Sequence, residues 1–397
     1  MSWFDNLLKP KRIFLDYASA TPLLPEVGRG MVKYFSREFY NPSAIYEEGV
    51  RVKKEVEEYR ARVARALGVA SEGIIFTASG TEADNLAILG AFEKSRETFK
   101  KPHIIISAIE HPAVVAAAQE VVRRGGESSI LGVNEEGLVS VEALKKLLRK
   151  NTFLVSVGLA NNEIGTIQPL AKLGRLIRKY RREHDSLYPY LHTDASPTPS
   201  FLPVNLESLQ ADLLTLDGSK IYGPKGVGVL AVRGAVMLRP IIVGGGQERG
   251  RRAGTLNPAL IAGFALAFEI ALRDRDKESE RLEALRKYFI ELVSKRLPKA
   301  LFNGSVESHL PNIVSISLFG TLSELILLKL DRAGVMVSVG SACSHDEKVS
   351  GSPVILALGK KVLSESTLRF SFGRFTTRDE VAKAAEIFWR IAESVVK

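Results

Sequence analysis

Through the first two-thirds of the chain, short β-rich apolar runs alternate with stretches of helical periodicity. The runs that fit strands are Ile74–Thr77, His103–Ser107, Leu154–Gly158, Tyr190–Thr193, Asp212–Leu216 and Val227–Val232. Several lack polar alternation, as expected of strands covered on both faces. Helical segments such as Val141–Leu148 and Leu170–Arg181 lie between them. Val52, Val56, Tyr59, Val63 and Leu67 form one apolar helical stripe. Such alternation implies an α/β fold, with a largely parallel sheet built by right-handed crossovers and flanked by helices.

The pattern changes near residue 257. Asn257 and Pro258 make a good helix start. The apolar stretch Ala259–Leu272 comes next, then a charged helix with Leu282, Leu285, Phe289, Leu292 and Leu297 on one face. Asn312–Leu318, a helix near Leu322–Leu330 and a Gly/Ser-rich loop over Ser338–Ser352 complete the chain. A length of 397 residues exceeds one ordinary domain. The expectation is a large α/β domain over 15–257 and a smaller α+β domain over 258–397. Residues 1–14 would form an arm against the smaller domain. No internal repeat or low-complexity tract is present.

The net charge of +10 allows a nucleic-acid partner, an acidic protein partner or simply a soluble surface. The densest basic cluster, Arg178, Lys179, Arg181 and Arg182, reads as a solvated helix face, and no direct nucleic-acid binding is expected. The single cysteine, Cys343, rules out an intrachain disulfide and a Cys-based metal cluster built by one chain. Residues 1–10 lack the apolar core of a signal peptide. Ala259–Leu272 is interrupted by Glu269 and too short to span a bilayer. The expectation is a cytoplasmic protein without membrane association.

Four segments carry candidate chemistry. Ala78-Ser79-Gly80-Thr81-Glu82-Ala83-Asp84-Asn85 follows a strand and opens a helix, with Thr81 and Asp84 at capping-box spacing. Gly80 would admit a ligand close to the backbone, and free N–H groups at a helix start suit a phosphate; the plain alternative is an ordinary capped helix. Asp217-Gly218-Ser219-Lys220 ends another strand. A lysine there can reach a cofactor carbonyl, given a lowered pKa; alternatively it is a solvated loop lysine. Asp194 ends the Tyr190–Thr193 run, where an unpaired carboxylate is costly; it pairs with a ligand cation or caps a helix. Cys343 sits in Gly340-Ser341-Ala342-Cys343-Ser344, where small and polar neighbours favour a reactive thiol over a buried one. His345 lies two residues on, a spacing that requires no interaction.

Together these segments resemble the cysteine desulfurases of the class V aminotransferase superfamily, the NifS/IscS type. The resemblance runs from Leu15-Asp16-Tyr17-Ala18 to Phe370-Ser371-Phe372-Gly373-Arg374. Asn161-Asn162-Glu163-Ile164-Gly165, Lys220-Ile221-Tyr222-Gly223-Pro224-Lys225-Gly226 and Arg252-Ala253-Gly254-Thr255 add to it, together with the segments around Thr81 and Cys343. No one piece is specific; their order is. The resemblance implies a fold-type-I transferase dependent on pyridoxal 5'-phosphate (PLP), active as a homodimer.

By motif match, Lys220 would be the Schiff-base lysine and Asp194 the partner of the pyridine nitrogen. His111 would stack on the ring and move protons, and Asn162 would lie near the ring hydroxyl. Gly80, Thr81 and Ser219 would bind phosphate, with Thr255 reaching over from the other subunit. Asn41 and Arg369 resemble binders of the substrate carboxylate; the plain alternative for Arg369 is a surface arginine. The implied reaction is a sulfurtransferase one: L-cysteine gives L-alanine and a persulfide on Cys343. An iron–sulfur scaffold or a tRNA-thiolation protein would then accept the sulfur. A related lyase of the selenocysteine type, and a non-catalytic sulfur-relay or scaffold-binding homologue, are the competing readings.

Three positions depart from the best-known members. Pro197 stands where a glutamine usually bonds the ring hydroxyl, and Asp217 and Ser219 stand where serine and histidine usually precede the lysine. A carboxylate beside a phosphate is repulsive. Asp217 is therefore expected to turn away, to stay protonated, or to pair with a cation such as Arg252.

Overall fold

The structure, a computed structural model, describes residues 12–340 and 351–395. Strand β1 (Ile13–Phe14) precedes the central sheet. That sheet comprises β2 (Ile74–Thr77), β3 (His103–Ser107), β4 (Glu127–Leu131), β5 (Thr152–Ser156), β6 (Tyr190–Asp194), β7 (Leu213–Asp217) and β8 (Gly228–Val232). Its spatial order is β2-β8-β7-β6-β5-β3-β4. Only β8 runs antiparallel to its neighbours; the pairs from β7 to β4 are parallel.

Successive residues of these strands serve opposite faces, as the pleat requires. Ile74, Phe76, Ile105, Val155, Leu214 and Leu216 join a core with helices Glu47–Leu67, Leu170–Glu183 and the first part of Pro258–Arg296. Ile75, Ile104, Ile106, Leu154 and Leu213 face the other way, against helices Gly80–Ser95 and Pro112–Arg123. The sheet is thus buried on both sides, which explains the missing polar alternation. The exception is edge strand β4, where Ser128 and Ile130 are exposed.

Helix Pro258–Arg296 is continuous over 39 residues. Its cap is the expected one: the Leu260 amide donates to Asn257 Oδ1 at 3.1 Å. Ala259 to Ala271 pack on the central-sheet core, whereas Leu282, Leu285, Phe289 and Val293 enter a second core. That second core lies under an antiparallel sheet of order β12-β13-β10-β9, formed by β9 (Leu301–Asn303), β10 (Ile313–Ser317), β12 (Ser338–Val339) and β13 (Thr367–Ser371). The remaining strand, β11 (Val335–Met336), pairs in parallel with β1 and draws Leu15 into the same core. Among the described residues, no helix is long and apolar enough to cross a membrane.

Candidate active site

The C-terminal ends of β2, β3, β5, β6 and β7 converge, the usual ligand position in an open α/β sheet. A cavity of about 260 Å³ opens there. Gly80, Thr81, His111, Asn162, Asp194, Ser219, Lys220 and Arg369 all line it. Residues spread from 80 to 369 in sequence thus meet at one place, as the motif order implied. Asn41 and Thr255 do not line it; both are exposed. Cys343 and His345 lie outside the described residues.

Lys220 ends a short 3-10 turn, Gly218–Lys220, directly after β7. Thr21 fixes that turn from both sides: its hydroxyl donates to Ser219 O at 2.8 Å and accepts from the Tyr222 amide at 2.8 Å. The Lys220 ammonium donates to Ala18 O at 3.0 Å and to Ser19 O. It is therefore held by carbonyl oxygens inside the cavity, and it is not a solvated loop lysine.

The cavity floor is acidic. Asp194 ends β6, and its Oδ1 accepts from the Ser196 amide at 2.9 Å. Asp84 is fully buried, and its Oδ1 has no hydrogen-bond partner. Burial, and then the Asp194 charge, push the Asp84 carboxyl well above its usual range. Asp84 Oδ1 lies 3.6 Å from His192 Nε2. This is not an ion pair, because burial holds His192 neutral, with its pKa lowered to about 3. Ligand atoms of Asp84, His111 and Asp194 lie within 4.8 Å of one another. A buried carboxylate oxygen without a donor favours a ligand that brings a proton or a positive charge.

Two further acids, the half-buried Glu110 and the buried Glu163, were not anticipated from the sequence. Glu110 accepts from Ser107 Oγ and from the Gly158 amide at 2.9 Å. Burial pushes its carboxyl up to about 7. Glu163 accepts from Ser352 Oγ at 2.5 Å, and burial raises its carboxyl too. The run Glu110-His111 and the run Asn161-Asn162-Glu163 were the only signals, and neither reveals burial.

His111 caps helix Pro112–Arg123, and its Nδ1 accepts from the Ala113 amide at 3.2 Å. That bond assigns the tautomer: the neutral ring carries its proton on Nε2. Asn161 is spent on its own turn, accepting from the Glu163 and Ile164 amides at 2.9 Å. Asn161 and Asn162 both line the cavity, and the main-chain carbonyl of Asn162 receives Arg369 Nη1 at 2.9 Å. Arg369 Nη2 donates to Asp16 Oδ1 at 2.7 Å and to Ser19 Oγ at 2.8 Å, while Nε is buried without a partner. Arg369 is 5% exposed, so the surface-arginine alternative falls.

Two expectations need correction. The cap of helix Gly80–Ser95 is Ser79 with Glu82, not Thr81 with Asp84. Glu82 N donates to Ser79 Oγ at 3.1 Å, and Glu82 Oε2 receives the Ala78 amide at 2.8 Å. Asp217 does not pair with Arg252, which binds Glu82 at 2.8 Å. Nor does Asp217 turn away. Its Oδ2 accepts from the Gly80 amide at 2.9 Å, and its Oδ1 from the Ser219 amide at 2.8 Å and Ser219 Oγ at 2.6 Å.

The cavity meets the needs of PLP at two of three points. Lys220 supplies the amine. Asp194, beside the unpartnered Asp84 oxygen, would be the partner for a protonated ring nitrogen. The third point, the phosphate cradle, has donors of the right kind at a helix start, and Asp217 is bonded to them. Pro197 also lines the cavity and has no side-chain donor to offer a ligand. At the amine and the ring nitrogen the residues fit the group; at the phosphate cradle Asp217 stands in its place.

The family described as "Aminotransferase class-V" matches residues 13–383. The chain is 41% identical to the cysteine desulfurase IscS of Dictyoglomus turgidum, over 97% of this chain and 95% of that one. A solved NifS-like protein superposes with a TM-score of 0.88 at 30% identity, covering 97% of this chain and 100% of that one. SspA, solved in complex with cysteine, superposes with a TM-score of 0.77 at 31% identity, covering 92% of this chain and 99% of that one. The converging strand ends, the held lysine and these likenesses agree, and the chain belongs to the class-V aminotransferases and, among them, to the cysteine desulfurases.

Proposed function

We propose that the cavity holds PLP on Lys220, and that the chain converts L-cysteine to L-alanine while Cys343 takes the sulfur. The observation that carries this reading is the placement of Lys220 in one cavity with Asp194, Asp84 and His111. The complex of the similar SspA with cysteine supports the substrate. When bound, PLP supplies an electron sink for charge that develops at the substrate α-carbon. Each chain residue then has a task its geometry suits.

Asp194 holds the proton of the ring nitrogen. Lys220 would hold the cofactor, and its Nζ would take the α-proton and return a proton on the product side. His111 offers the proton on Nε2, since Nδ1 is engaged by its own helix. Arg369 orients the substrate carboxylate by exchanging Asp16 for it, a charge-assisted bond of the same kind. The Cys343 thiolate attacks the substrate sulfur. An S–S bond forms, the C–S bond breaks, and the carbon gains a proton, so cysteine plus thiol gives alanine plus persulfide. Thr255 and Asn41 would complete the site in a homodimer, with Thr255 coming from the other subunit. An iron–sulfur scaffold or a tRNA-thiolation protein would take the sulfur onward.

The test is borohydride reduction of the yellow protein followed by peptide mapping, with L-alanine assayed after addition of L-cysteine. Cofactor mass on the Lys220 peptide and stoichiometric alanine are expected. A colourless protein, or a cofactor fixed elsewhere, would overturn the reading.

A further inference from the structure

We propose that Asp217 is a specificity-determining residue that fills the phosphate cradle of this chain from within, so that the cofactor's phosphate binds only in exchange for its carboxylate. This rests on the reading of the cavity as a PLP site. The cradle is the start of the 16-residue helix Gly80–Ser95 together with the turn that bears Lys220. Its donors include, beside Thr81, the amides of Gly80 and Ser219 and the Ser219 hydroxyl. The last three point at Asp217, at 2.9, 2.8 and 2.6 Å.

The fit is close because residue 80 has no side chain. A Cβ there would lie 3.2 Å from Asp217 Cβ and 3.3 Å from its Oδ2. A carboxylate at a helix start gains from the same N–H groups and dipole that would bind a phosphate. It therefore competes with the phosphate for identical partners, through charge-assisted bonds. The two anions also repel at contact distance. No arrangement gives both of them the same three hydrogens.

The phosphate therefore contributes less to cofactor affinity here than in a cradle with free donors. An aldehyde that lacks phosphate loses nothing to Asp217. The chain should thus discriminate weakly between PLP and pyridoxal. Asp217→Ser removes the competing charge and leaves a small hydroxyl. Asp217→Asn keeps the shape, removes the charge and turns one oxygen into a donor.

The experiment is a spectroscopic titration of the full-length chain, stripped of aldehyde, with PLP and separately with pyridoxal. Wild type, Asp217→Ser and Asp217→Asn are compared by the visible absorbance of the bound aldehyde. PLP affinity should rise at least about tenfold in Asp217→Ser and by a smaller factor in Asp217→Asn, while pyridoxal affinity stays nearly constant. The Asn variant keeps the test alive if the Ser variant fails to fold. Unchanged or weaker PLP binding in both variants overturns the proposal, as does an equal change for the two aldehydes. If neither aldehyde gives absorbance in any of the proteins, the PLP reading itself falls, and this proposal with it.

Discussion

Glu163 Oε1 accepts a hydrogen bond from Ser352 Oγ at 2.5 Å, tying the turn after β5 to the chain just beyond Cys343. The same carboxylate closes on the other flank: a Cβ at Gly340 would lie 2.1 Å from Glu163 Oε1. One buried acid therefore meets both ends of the segment that carries the thiol. Gly340→Ala cannot keep this arrangement without moving either the acid or the segment. It should cost about 1–3 kcal/mol in unfolding free energy and lower persulfide formation, while the cofactor absorbance stays near the wild-type level. Denaturant unfolding and the two assays check this. Wild-type stability and turnover would contradict it.

Glu110 makes the fold sensitive to pH. Its carboxyl is pushed up to about 7 from 4.5 by burial. Below about pH 4.5 both states hold the proton, and the buried neutral form carries no penalty. As pH rises towards 7, the unfolded chain ionises first, so stability is lost across that window and stays lower above it. The loss is on the order of 3 kcal/mol. Glu110→Gln lacks this loss. Its unfolding midpoint, compared with wild type, should therefore be higher at about pH 8 than at about pH 5. An offset that is constant with pH would contradict the assignment.

Arg369 bridges Asn162 O, Asp16 and Ser19 through two nitrogens. A lysine cannot reach all three with one ammonium. Arg369→Lys should raise KM for L-cysteine about ten- to hundredfold and lower kcat less. A change confined to kcat would place Arg369 outside substrate binding.

Lys220→Ala removes the amine that the cavity holds on Ala18 O and Ser19 O. The visible absorbance should disappear, and alanine formation should fall at least about a thousandfold. Retained absorbance would mean that another amine holds the cofactor.

Much of the fold is legible in the sequence, for a physical reason. Ile74–Thr77 and His103–Ser107 match β2 and β3 to the residue, because strands buried on both faces are continuous apolar runs. β4 escapes that reading. Glu127, Ser128 and Ser129 give it a polar start, as an edge strand with one wet face allows. The site is legible only as an order of motifs. Lys220, Asp194 and His111 meet as that order implies.

What decides the electrostatics comes from elsewhere in the chain. Nothing local to Glu110 or Glu163 reveals that Gly158 or Ser352 will cover it. The Thr81–Asp84 spacing fits a capping box as well as Ser79–Glu82 does, and only the helix start at Gly80 chooses between them. Asp217 was expected to turn away, to stay protonated or to pair with a cation such as Arg252; the last is ruled out, since Arg252 binds Glu82, and Asp217 faces the helix start. It binds there because the same N–H groups attract any anion.

Sulfur transfer from L-cysteine to Cys343 is measured most directly as the mass of the Cys343 peptide after a single turnover with L-cysteine. The expected result is one added sulfur on that peptide, removable by a thiol reductant, with one alanine released. Cys343→Ala should show no added sulfur and keep the visible absorbance. Wild-type rates of sulfide and alanine release by Cys343→Ala would contradict it.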